Sequence, residues 1–169
     1  MKFSTLRKMG GFTIVELMTA VVVVGVVATM AVPKMEKAYE RMRFRSAVRD
    51  VNSTLRLARS YSLSSKGQYA VQFGTSPCTV TLFKDKVNPT NYSFDSGDSL
   101  VRVDTLPSEF TWVGTDCTNN VLAFTPSGSA AFSGGGNIYS LAYDDNIIAF
   151  HSTTVLPSTG RVSYSMYYY

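Results

Sequence analysis

Three hydrophobic rhythms succeed one another along the 169 residues. Across residues 14–32 the chain is apolar almost throughout, with Glu16 the one charge in nineteen residues. Beyond it, Met35, Ala38, Tyr39, Met42, Val48, Val51, Leu55 and Ala58 recur at helical spacing, with Arg43, Arg45, Arg49 and Arg56 largely off that stripe. From Gln68 onward the period becomes two, and residues 69–73, 79–83, 99–103, 110–113, 121–124, 130–132, 138–143, 146–150 and 161–166 read as short strands. Turn residues separate them: Thr75-Ser-Pro77, Ser96-Gly97, Thr125-Pro-Ser-Gly128, Asp144-Asp-Asn146 and Pro157-Ser-Thr-Gly160. The pattern predicts an α+β fold. A long N-terminal α-helix, from about residue 13 to 63, combines a transmembrane half with an amphipathic half. The amphipathic half must bury its stripe, and the antiparallel β-sheet body is the surface on hand.

The apolar run is long enough to cross a hydrocarbon core of about 30 Å. A secretory signal has a shorter apolar core and a cleavage site after it. Here the small-residue break, Gly10-Gly11, comes before the run. A cut after Gly11 removes the basic leader, keeps the apolar segment, and creates a new amine at Phe12. That amine and the Glu16 carboxylate stand four residues apart on one helix face. A carboxylate inside a membrane costs roughly 3 kcal/mol and marks a function when it has a partner; the new terminus, of this chain or a neighbour, is that partner. Further on, Pro33 removes a helix hydrogen bond, which predicts a kink near residues 32–33.

Charge changes the picture only through its placement. The net charge is +4, yet residues 1–11 carry +3, residues 34–66 carry +6, and residues 67–169 carry −4. A basic belt beside an apolar helix suits lipid headgroups or neighbouring subunits better than nucleic acid. Cys78 and Cys117 are the two cysteines. They are either buried free thiols or, in an exported body, a disulfide, and the disulfide is the expectation carried forward.

Gly11, Phe12, Thr13 and Glu16, preceded by a basic leader and followed by an apolar run that ends at Pro33, resemble a type IV prepilin N-terminus. Phe124-Thr-Pro-Ser-Gly128 and Gly160-Arg161-Val162 resemble the GspH/FimT branch of pilin-like proteins. The resemblance implies cleavage between Gly11 and Phe12 by a prepilin peptidase and N-methylation of Phe12. It also implies that Glu16, with Thr13 beside it, engages an adjacent subunit during assembly. The expected organisation is a leader at 1–11, a transmembrane and assembly helix at 12–33, an amphipathic helix at 34–66, and a β-rich periplasmic body at 67–169. The implied function is that of a minor pilin at or near the tip of a type IV pilus, held in the bacterial inner membrane before assembly. A minor pseudopilin of a type II secretion system is the alternative, and a DNA-uptake pilin the second alternative. The partners implied are other pilins or pseudopilins, the prepilin peptidase and inner-membrane lipid. DNA uptake in this branch is associated with a basic tail of the form Gly-Arg-x-Arg, whereas here Ser163 replaces the second arginine. Arg161 is then a lone DNA contact on an acidic body, which supplies little of the electrostatic attraction such binding needs.

No enzyme is predicted. His151 lacks a recognisable nucleophile context and there is no G-x-S-x-G elbow. Gly134-Gly-Gly136 lacks the Lys-Ser/Thr ending of a phosphate loop. Asp95-Ser-Gly-Asp98 falls short of a twelve-residue calcium loop and reads as a solvated turn. No metal site and no cofactor are expected.

Overall fold

The computed structural model describes residues 11–131, 136–144 and 146–169, with side chains at 32–34 and 142–148 outside the described residues. The leader at 1–10, and with it Gly10, also lies outside them. The chain is α+β, and it divides into two compact units, one ending at Tyr39 and one beginning at Glu40. A single helix, α1, runs through Ile14–Ser65, 52 residues.

In the first unit α1 starts on a side-chain cap. The Glu16 N–H donates to Thr13 Oγ1 at 3.2 Å, and the Leu17 N–H to the Thr13 carbonyl at 3.1 Å. Thr13-Ile-Val-Glu16 thus has the Thr-x-x-Glu spacing of a capping box, with an acid where the helix dipole favours one. Residues 14–31 form a span long and apolar enough to cross a membrane, and none of it is buried within the chain. The hydroxyls in this span are satisfied internally, Thr19 Oγ1 donating to the Glu16 carbonyl and Thr29 Oγ1 to the Val26 carbonyl, as a lipid-facing helix requires. The kink expected at Pro33 falls among the residues whose side chains are not described.

The second unit is built on the rest of α1 and two antiparallel sheets. Strands β1 (Gln68–Thr75), β2 (Cys78–Asp85), β3 (Ser99–Thr105), β5 (Val121–Phe124) and β6 (Ala130–Ala131) form one sheet in the order β3-β2-β1-β5-β6. Strands β4 (Phe110–Thr115), β7 (Asn137–Asp144), β8 (Asn146–Val155) and β9 (Val162–Tyr168) form the other in the order β4-β7-β8-β9. Each alternating run found in the sequence is a strand, although Phe132, expected in β6, lies outside the described residues. Asp144 pairs with Asn146 at the end of the β7–β8 hairpin, where the Asp-Asp-Asn turn was expected.

One core joins the helix to both sheets. From α1 it takes Phe44, Ala47, Val48, Val51, Leu55 and Ala58. Val71, Phe73, Val80, Leu82, Leu122 and Phe124 face them from the first sheet, and Ile138, Ala149, Val155 and Val162 from the second. Phe110 and Trp112 on β4 lock the end of this core. Phe110 lies 5.5 Å from the Phe44 ring and Trp112 packs edge-on 5.0 Å from Phe73, an arrangement that aromatic quadrupoles favour. The predicted stripe is buried from Val48 onward. Its first part is not: Met35, Tyr39 and Met42 are each more than 60% exposed.

The helix ends where Lys66 takes a left-handed conformation (φ 52°) and Ser65 Oγ donates back to the Tyr61 carbonyl at 2.8 Å. Positive φ ends a helix by turning the chain out of its hydrogen-bond ladder, and Gly67 then leads directly into β1.

Candidate assembly site and the junctions of the body

The residues singled out at the N-terminus lie together on the start of α1. Gly11, Phe12 and Thr13 precede the helix and Glu16 sits in its first turn. All four are exposed, and the Glu16 carboxylate has no hydrogen bond or ion pair among the described residues. The backbone at Glu16 is committed to the Thr13 cap while its charge stays available. An apolar helix carrying one uncommitted carboxylate offers two things to a neighbour in lipid: a long packing surface and a single point of electrostatic registration.

In the body, the two short motifs converge on α1. Phe124 ends β5, and the chain turns at Thr125-Pro-Ser-Gly128 through the Gly128 N–H to Thr125 carbonyl bond (2.8 Å) and the Thr125 N–H to Ser129 carbonyl bond (2.9 Å). Gly160 ends the β8–β9 turn with φ +64°. The Ala130 N–H donates to the Pro157 carbonyl at 2.9 Å, tying one turn to the other. Arg59 Nε donates to the Gly128 carbonyl at 3.1 Å and so ties both to the helix. A Cβ on Gly160 would meet that same Gly128 oxygen, and one on Gly128 would meet Leu63. These glycines are thus required by close approach as well as by positive φ, and the motifs are the place where the two sheets and α1 are joined.

Arg161 is exposed next to this junction, at a cleft of about 330 Å³ that Arg56 and Arg59 also line. Sequence reasoning assigned those helix arginines to a different third of the chain and read Arg161 as solitary. Folding brings the three together.

His151 is fully buried in a polar network that sequence reasoning did not foresee. Ser140 Oγ lies 2.9 Å from Nδ1 and Thr153 Oγ1 2.6 Å from Nε2. Asn52, on α1, accepts from Thr153 Oγ1 at 3.1 Å and donates to the Val48 carbonyl at 2.7 Å. Burial pushes the imidazole pKa down to about 4, so the ring is neutral at physiological pH. Fully buried, it fastens helix to sheet.

The expected disulfide is corrected: Cys78 and Cys117 are both free thiols. Cys78, at the start of β2, directs its Sγ to the Thr75 carbonyl at 3.7 Å. Cys117 is buried and pushed up to about 11 by desolvation and by Asp116, despite a backbone hydrogen bond from Gly136. Each sulfur is engaged by a backbone group, Cys78 by the nearby Thr75 carbonyl and Cys117 by Gly136. The carboxylates of the Asp95–Asp98 loop are committed to neighbouring protein groups. Asp98 accepts the backbone N–H groups of Lys86 (2.8 Å), Val87 (3.3 Å) and Asp95 (2.9 Å). Burial works against its ionisation, but these bonds prevail and hold its carboxyl below the ordinary range. Among the described residues no group of three His, Cys, Asp or Glu side chains is placed to hold a metal ion.

Residues 6–32 match the prokaryotic N-terminal methylation motif, and residues 47–159 match the family described as type II transport protein GspH. The first match covers the apolar span and Glu16; the second covers α1 from Ala47 onward, strands β1 to β8 and the turn at Gly128, and stops short of Gly160 and β9. No match to this chain was found among curated proteins or solved structures.

Proposed function

The chain belongs to the GspH family of type II transport proteins, which makes it a minor pilin or pseudopilin, and on that premise we propose that it is a structural subunit that waits in the inner membrane and is then drawn into a helix-packed filament. A prepilin peptidase cuts between Gly11 and Phe12, the Phe12 amine is methylated, and residues 12–33 anchor the subunit with residues 67–169 in the periplasm. On assembly the apolar helix leaves lipid for the surfaces of other subunits, and the Glu16 carboxylate pairs with a Phe12 amine. The observation that carries this reading is the exposed apolar span with one uncommitted carboxylate in its capped first turn. Met35, Tyr39 and Met42 prolong its apolar surface and are covered by neighbouring helices in the filament.

The place proposed for it is at or near the tip of a type IV pilus. Membership of a family of type II transport proteins favours a second reading, a pseudopilin of a type II secretion machine. The physics of assembly is the same in both, so the machine is decided by phenotype: deletion stops twitching motility in the first case and protein export in the second. The test of the shared mechanism is Glu16→Ala. We expect normal peptidase cleavage and loss of the subunit from sheared filaments; incorporation at wild-type level would overturn it.

A further inference from the structure

Strand β9 forms one edge of its sheet, paired with β8 alone. Its hairpin closes with the Leu156 N–H donating to the Arg161 carbonyl at 3.0 Å and the Gly160 N–H to the Leu156 carbonyl at 2.8 Å. Counting from that closure, the alternation of an antiparallel pair turns the N–H and C=O of Val162, Tyr164, Met166 and Tyr168 away from β8, toward the open edge. Open edges are ordinarily blunted by lysine, proline or a bulge. The stretch Val-Ser-Tyr-Ser-Met-Tyr-Tyr of β9 contains none of these residues, and its register with β8 runs without a shift.

The charge is on the helix beside it. Arg41, Arg45, Arg49 and Arg56 fall within a sector of about 80° at 3.6 residues per turn. All four are exposed. Arg45 and Tyr168 line one cleft between α1 and β9, and Arg49, Arg56 and Tyr164 line the next. Arg41 already hydrogen-bonds the backbone at the end of this strand, Nη2 to the Tyr169 carbonyl at 3.0 Å. Arg45, Arg49 and Arg56 have no ion pair among the described residues. The acids Asp50 and Asp104 border a different cleft, with Arg43.

The two halves of this surface have matching spacing. Arginines four residues apart on a helix repeat about every 6 Å, and alternate residues of an extended strand repeat about every 6.8 Å. We propose that the β9 edge is a docking site for an extended acidic segment of a neighbouring filament subunit. The segment adds as a further strand, its backbone on β9 and its alternate carboxylates under Arg41, Arg45 and Arg49. A polypeptide is chosen over nucleic acid because only a polypeptide can use the unpaired N–H and C=O ladder. A second copy of β9 is excluded by charge, since it would bring its own arginine row against this one. The inference rests on the filament reading only for the identity of the neighbour.

The test uses the full chain in detergent micelles and an eight-residue peptide with aspartate at alternate positions and valine or threonine between. Binding is expected, with slowed amide exchange at Tyr164, Met166 and Tyr168. Double reversal by Arg45→Glu and Arg49→Glu should weaken binding tenfold or more. Tyr164→Pro, which deletes one edge donor, should abolish it, whereas Tyr164→Ala, which keeps that donor, should leave it within a few-fold. Equal binding of a peptide with the same composition but contiguous aspartates, or binding without slowed exchange, would overturn the proposal. Tighter binding of an oligo-dT strand would also overturn it and assign the groove to single-stranded nucleic acid. Glu16→Ala should leave peptide binding unchanged, so loss of the assembly mechanism and loss of this docking site are separately visible.

Discussion

At the scale of single residues, His151 sets a dependence of stability on pH. Its pKa is depressed by burial from 6.5 to about 4 in the folded chain, so protonation favours the unfolded state. Its contribution is complete above about pH 6.5, declines as the pH falls, and is exhausted below about 4. A shift of this size corresponds to roughly 3 kcal/mol. Thermal melts between pH 7 and pH 4.5 should therefore show a steep loss of stability, and His151→Gln should flatten that slope while lowering the melting temperature at pH 7. An unchanged slope would remove His151 as the cause. Gly160 acts through sterics instead. Its φ of +64° and the Gly128 oxygen facing its missing Cβ mean that Gly160→Ala should cost about 2 kcal/mol or more. Calorimetry should find the melting temperature lowered by about 4–8 °C; a change under one degree would show that the junction yields freely.

At the scale of elements, α1 (Ile14–Ser65) performs two tasks, and its residues separate by task. Leu55 is fully buried among residues from both sheets, so Leu55→Ala should destabilise the body by about 2–5 kcal/mol. Met42, 69% exposed, should be silent in the same unfolding measurement, and Met42→Ala should reduce incorporation into filaments instead. A large stability loss at Met42, or none at Leu55, would contradict this division. The element itself was legible because its signals are local: a nineteen-residue apolar run, a stripe at helical spacing, and period-two alternation beyond it. The Thr13 cap on the Glu16 N–H is equally local, since the two residues stand three apart.

At the scale of the molecule, the basic third and the acidic body are not separate regions. Folding lays the arginines of α1 alongside β9, where the sequence places only Arg161. The proposed life of the protein, membrane anchor first and filament subunit afterwards, predicts a mature mass. The chain purified from cells should lack residues 1–11 and carry one additional methyl group, and an intact-mass spectrum checks this directly. Retention of the leader would contradict the processing reading and leave a simple anchored protein.

What the amino-acid sequence by itself determined is whatever depends on near neighbours: the helix and its caps, the strands and turns, the apolar span with its one acid, and the glycines at tight turns. Backbone preference and hydrophobic period act over a few residues, so no partner is needed to read them. Only the tertiary structure decided how the described strands divide between two sheets, that Cys78 and Cys117 remain free thiols, that Asn52 reaches the His151 network from 99 residues away, and that Arg59 joins the turns at Gly128 and Gly160. These depend on contacts between distant segments. Many pairings of such segments satisfy the same local pattern, and the shared core of helix and two sheets selects among them.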